Sequence, residues 1–149
     1  MTVKLKDEAA TAALGGTIAR GLRLGDAVLL EGELGSGKTT LARAILRALG
    51  VREYVPSPSF TLVQAYETPG LTVRHFDLYR VTHASELNEL GIDDALAEGA
   101  VLIEWPEHAR ERMPANALEI YLSASGETAR HAKLSGPMRW RDILEGHSA

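Results

Sequence analysis

The chain has 149 residues, 45% of them hydrophobic and 24% charged, with 16 Lys and Arg against 20 Asp and Glu for a formal net charge of −4. That length suits one domain with a full core, and the balance excludes a disordered tail, a coiled coil or a collagen-like chain. The absence of cysteine removes disulfide scaffolds, thiolate metal sites and cysteine nucleophiles, and the acidic balance argues against a broad basic face for gripping nucleic acid.

The opening residues MTVKLKDEAAT lack the apolar run of a signal peptide, and no run of about 18 apolar residues could form a membrane span, so a cytoplasmic location is expected. From Asp7 to Leu24 apolar residues recur every four positions at Ala10, Leu14, Ile18 and Leu22, predicting a helix with Asp7 as its N-cap and Gly25 as its stop. Ala27 to Leu30 is a continuous apolar run, as expected of a strand buried on both faces. A glycine-rich turn and a second helical pattern from Thr39 to Leu49, closed by Gly50, come next. Two prolines make Val55 to Ser59 a loop. Phe60 to Tyr66 and Leu71 to Phe76 read as a hairpin around Thr68-Pro69-Gly70. Short helices are predicted from Ala84 to Leu90 and from Asp93 to Ala97, then a buried strand from Ala100 to Ile103. Ala117 to Ser123 and Ala129 to Leu134 suggest an antiparallel pair, and Arg139 to Leu144 a closing helix.

Gly32-Glu33-Leu34-Gly35-Ser36-Gly37-Lys38-Thr39 matches the P-loop pattern G-x-x-x-x-G-K-[ST] in full. Glycines let successive backbone N–H groups curl around a phosphate in front of a helix N-terminus. Leu34, Gly35, Ser36 and Gly37 therefore form the expected nest, Lys38 reaches the outer phosphates, Thr39 offers its hydroxyl to Mg²⁺ and Thr40 serves an inner phosphate. The predicted fold is α/β: a single P-loop NTPase domain over residues 1–149, with a mixed, mostly parallel central sheet flanked by helices and carrying antiparallel hairpin additions.

Such a site needs an acid at the end of a neighbouring strand, and both Asp77 and Glu104 qualify. The more uniformly apolar run Val101-Leu102-Ile103 favours Glu104 for the metal, leaving Asp77 to face the γ-phosphate and orient water. No Asn-Lys-x-Asp motif is present, which favours ATP over GTP, and no Arg-bearing lid points to a small-molecule kinase. The reading is a compact ATPase whose nucleotide state is read by another protein.

Four segments together carry a resemblance. The P-loop Gly32 to Thr40, Ser57-Pro58-Ser59-Phe60-Thr61-Leu62-Val63, His75-Phe76-Asp77-Leu78-Tyr79-Arg80 and Ile103-Glu104-Trp105-Pro106 are similar in order and spacing to the TsaE (formerly YjeE) family. The departures are Ser59 where Thr is commoner, and Glu33 and Ser36 where Asp and Ala are. The resemblance implies an ATPase of tRNA threonylcarbamoyladenosine (t6A) synthesis that acts with TsaB and TsaD, meeting tRNA only indirectly or within that complex. It implies Lys38, Asp77 and Glu104 as catalytic residues, Thr39 and Glu104 as Mg²⁺ residues, and Ser57 to Thr61 as a loop that senses the nucleotide. Glu8 and Thr11 enter as adenine-side candidates on this likeness alone. A second reading is a binding module gated by nucleotide occupancy rather than hydrolysis.

Of the remaining residues, Phe60, Tyr66 and Phe76 read as core, and His75 as a histidine packed in its strand rather than a ligand. Arg80 reads as a pairing or partner-contacting residue; the resemblance implies Trp105 as a neighbour of the nucleotide or of a partner, with a place in the core as the alternative. Arg130, His131, Lys133, Arg139 and Arg141 form a basic run that reads as solvated surface, with a face toward tRNA within the assembly as one alternative and Arg130 closing the site over the nucleotide from the last strand pair as another.

Overall fold

A computed structural model describes residues 1–83 and 85–148. Its elements are β1 (Thr2–Leu5), α1 (Glu8–Gly21), β2 (Ala27–Glu31), α2 (Lys38–Ala48), β3 (Val63–Thr68), β4 (Leu71–Asp77), α3 (Glu86–Leu90), α4 (Ile92–Glu98), β5 (Gly99–Glu104), β6 (Leu118–Ala124), β7 (Arg130–Ser135) and α5 (Met138–Ser148). A 3₁₀ segment, Pro106–Arg112, follows β5. The strands form one seven-stranded sheet in the order β1-β7-β6-β2-β5-β4-β3. The four central strands run parallel, and antiparallel partners close both edges. The expected mixed α/β sheet flanked by helices is therefore observed.

The two innermost strands, β2 and β5, are continuous apolar runs because helices cover both of their faces. On one face α1, α2 and α5 bury Leu14, Ile18, Leu41, Ile45 and Trp140 against Val28, Leu30 and Leu102. On the other, α4 and the 3₁₀ segment cover Leu29, Phe76, Val101 and Ile103. Alternation along β4 and β5 places Val73 and Leu102 in the first layer and Phe76 and Ile103 in the second. His75, Asp77 and Glu104 thus lie on the α2 side.

Asp7 caps α1 as expected, its Oδ1 accepting from the Ala10 N–H at 2.8 Å. The helix stops at Gly21 rather than Leu24, because Leu22 is already extended at ψ 132°. α1 crosses α2 closely at Gly15, where an added Cβ would lie 2.6 Å from the Ala44 Cβ and 2.9 Å from the Ala44 carbonyl carbon. Beyond α1, Arg139 of α5 grips Asp26 with two bonds of 2.8 Å and so ties the last helix to the turn before β2.

Three expectations change. β1 pairs antiparallel with β7, an edge strand that the sequence reading passes over because it has only four residues. The predicted strand from Phe60 begins at Val63 instead: residues 59–61 turn, and Leu62 adopts a left-handed φ of 67° that ends any extended run. Phe60 consequently stands 82% exposed, whereas Tyr66 and Phe76 are core as expected. The helix predicted from Ala84 is observed over Glu86–Leu90, and Ala84 itself lies outside the described residues.

Candidate functional site

The site forms where β2, β4 and β5 end together and the chain turns from β2 into α2. Gly32, Gly35 and Gly37 all take positive φ, at 144°, 79° and 106°, so the loop curls in a way side-chain-bearing residues rarely adopt. Gly37 is the residue before α2 and offers no side-chain cap, which leaves the first N–H groups of that helix facing outward. Lys38 folds back over this loop, its Nζ donating to the Gly32 carbonyl at 2.5 Å and the Glu33 carbonyl at 2.9 Å. The ammonium also sits 4.1 Å from the Trp105 ring centroid. Burial pulls the Lys38 pKa below its usual value, against the opposing effect of Glu104, Glu107 and Asp77.

Thr39, one residue on, points across to β5. Its hydroxyl lies 2.8 Å from Glu104 Oε1 and 3.0 Å from Oε2. Glu104 is only 2% exposed, and its Oε2 also meets His75 Nε2 at 2.6 Å. Parallel pairing sets Asp77 beside Glu104 in register. Asp77 accepts from the Tyr79 N–H at 3.0 Å and from the Ser57 hydroxyl at 3.2 Å, so the loop before β3 is tied to the acid at the end of β4.

These groups surround one cavity of about 580 Å³. Leu34, Gly35, Gly37, Lys38, Thr39, Thr40, Asp77, Glu104 and Arg130, all singled out from sequence, line it together. Ser36 does not: it is buried beneath the loop, its Oγ 3.4 Å from Lys38 Nζ. Glu8 and Thr11 lie in a small adjoining cavity of about 40 Å³, which shares Gly37, Thr40 and Arg130 with the main one. Arg130 reaches from β7 to the Gly35 carbonyl at 3.2 Å and lines that side of the cavity. The basic run does not form one surface, since Arg130 and Arg139 turn inward to Gly35 and Asp26.

Trp105, expected beside the nucleotide or a partner, lines the cavity with Tyr79 and forms an aromatic group with Tyr79 and His108, the Tyr79 and Trp105 centroids 4.8 Å apart. Arg80 lies 4.4 Å over the exposed Phe60 ring rather than on a carboxylate. Both line the cavity, so Phe60 belongs to the site and not to the core. His75 is packed in its strand, but its bond to Glu104 is what sequence reasoning missed; its spacing from Asp77 placed it on the right face and was the available signal.

A family model described as "Threonylcarbamoyl adenosine biosynthesis protein TsaE" matches residues 5–132. The chain belongs to the TsaE family. All four segments that carried the resemblance fall within the matched range. A TsaE protein of Rickettsia felis, named for tRNA threonylcarbamoyladenosine biosynthesis, is 37% identical over 127 residues, covering 85% of this chain and 74% of its own. A TsaE protein of Streptomyces coelicolor is 37% identical over 130 residues, with 83% and 88% covered. The crystal structure of YdiB from Bacillus subtilis superposes with a TM-score of 0.81 at 27% identity, spanning 99% of this chain and 93% of that one. The TsaE family assignment thus covers the glycine loop, both acids and the β6–β7 strand pair as far as Ala132.

Proposed function

We propose that this protein is a P-loop ATPase of a single domain, binding and hydrolysing Mg·ATP in support of threonylcarbamoyl transfer to adenosine in tRNA. The observation that carries this reading is the apposition of Thr39 and Glu104 at 2.8 Å directly behind the glycine loop and Lys38. The outward N–H groups at the start of α2 favour an anion there, and Lys38 adds a charge at the loop's edge. Binding a triphosphate would draw the ammonium from the Gly32 and Glu33 carbonyls to the phosphate oxygens.

A hydroxyl facing a carboxylate is the hard-oxygen donor set that suits Mg²⁺, with water and phosphate completing the shell. Thr39 and Glu104 would hold the ion, which would neutralise charge on the phosphate oxygens. Asp77 faces the same cavity and accepts hydrogen bonds at both oxygens, which suits it to orient the attacking water. Glu8 and Thr11 are assigned the adenine side because their cavity adjoins the loop at Gly37, Thr40 and Arg130.

The TsaE names of the relatives support a role in t6A synthesis, and we take TsaB and TsaD as partners, with tRNA met within that assembly. Among the described residues no helix is long and apolar enough to cross a membrane, and the cytoplasm is the proposed location. The Ser57–Asp77 bond also favours a gating role, since it couples the acid to an exposed loop. Phosphate release from Mg·ATP, with and without TsaB and TsaD, tests the proposal. Hydrolysis stimulated by the pair and lost in Lys38→Ala is expected; equal hydrolysis in parent and variant overturns it. A Glu104→Gln variant that binds ATP without cleaving it, yet sustains repeated modification, would select gating.

A further inference from the structure

We infer that His75 is a positioning residue for Glu104: it anchors Oε2 of the carboxylate so that Oε1 stays directed at Thr39 and at a cation shared by that pair. The inference rests on the reading that Thr39 and Glu104 hold Mg²⁺. His75 is fully buried on β4 and lies two residues before Asp77, on the face turned to α2. Parallel register aligns His75 with Leu102 and Asp77 with Glu104, so the imidazole reaches forward to the acid from one step behind it. The resulting contact, 2.6 Å from Nε2 to Oε2, is shorter than either Thr39 contact.

The chemistry fixes the roles. An ionised carboxylate only accepts, so Nε2 must carry the proton in this bond. The Thr39 hydroxyl has one proton and can serve one oxygen at a time, and Oε1 is the nearer. With Thr39 and Glu104 holding a cation as proposed, the bond from His75 would be the one that still fixes the carboxylate. Without it the terminal torsion of Glu104 falls back on the broad, two-fold well usual for such groups.

A purely structural role fits the ring poorly. Its Nδ1 is buried with no hydrogen-bond partner among the described residues, a desolvation penalty that leucine or phenylalanine at this place would avoid. The bond to Glu104 is the ring's one hydrogen bond among the described residues. Hydrogen-bonded neighbours of this kind orient metal-binding groups, and losing one typically weakens metal affinity about 10–100-fold.

Three variants separate positioning from packing. In His75→Gln the amide nitrogen can take the place of Nε2, while in His75→Asn it falls short; His75→Leu removes all polarity. The measurement is the calorimetric affinity for Mg²⁺ of the protein saturated with ADP, with ADP binding in EDTA and thermal melting alongside. The Asn and Leu variants are expected to lose about 10–100-fold in Mg²⁺ affinity while binding ADP in EDTA like the parent, with Gln largely restored. Parent-like Mg²⁺ affinity in Asn and Leu, or a Gln variant no better than Asn, overturns the inference. Should Leu fail to fold, the Gln–Asn comparison decides alone. A parent protein whose ADP binding ignores Mg²⁺ would instead remove the underlying reading, and that result is obtained before any variant is made.

Discussion

Thr39→Val removes one hydroxyl and changes almost nothing else. Both residues are β-branched, of similar size and nearly equal in helix propensity, so the start of α2 is undisturbed. Among the described residues the hydroxyl is the one partner of Glu104 Oε1, while Oε2 keeps His75. Leaving a buried acceptor without its donor costs about 1–3 kcal/mol. At about 2–4 °C per kcal/mol for a chain of this size, the melting temperature should fall by roughly 2–12 °C. Scanning calorimetry without nucleotide reads that term. Phosphate release with Mg·ATP reads the second, a loss of about ten-fold or more from the missing metal donor. Thr39→Ser keeps the oxygen and should restore both. Val and Ser variants with equal hydrolysis would refute Thr39 as a metal residue, and equal melting would refute the energetic account of the Glu104 contact.

Other perturbations follow the same logic. Burial lowers the Lys38 pKa, so raising the pH strips its charge earlier than in a free lysine; triphosphate affinity by calorimetry should drop in that alkaline window, and Lys38→Arg should abolish the drop. The sign for stability is opposite: the unfolded chain binds the extra proton there, so Lys38 disfavours the folded state at neutral pH, and this penalty fades as pH rises through its folded value. Chemical denaturation of parent and Lys38→Met across that window measures it. Arg139→Ala leaves the Asp26 carboxylate with the Arg23 N–H alone among the contacts described and should lower stability by about 1–3 kcal/mol without changing ADP affinity. Gly15→Ala forces α1 from α2, an overpacking cost of about 1–3 kcal/mol against less than about 1 regained in helix propensity, so a net loss in urea melts is expected.

Legibility in the sequence followed burial. The runs Ala27–Glu31 and Gly99–Glu104 are buried on both faces, and a strand of that kind announces itself as unbroken hydrophobicity ending where the chemistry begins. The glycine loop was legible because its backbone demands residue types that little else requires. Phe60 was not, since an aromatic residue reads as core unless the left-handed Leu62 beside it is known. Nor was the 3₁₀ segment after Trp105, where Ala109 leaves helical geometry at φ −151° and breaks any periodic pattern. The bonds from His75 to Glu104 and from Arg139 to Asp26 depend on strand register and helix docking, which join residues 29 and 113 positions apart.

The placement of the chain's two tryptophans has a practical consequence. Trp140, on α5, is sealed in the core at 1% exposure, whereas Trp105 stands against the Lys38 ammonium at the cavity wall. Indole emission responds to nearby charge and solvent, so the native spectrum divides into a constant component and one that changes when the ammonium moves. If a triphosphate draws that ammonium away as proposed, Trp105 should report its arrival optically, and Trp140→Phe would leave that signal reading alone.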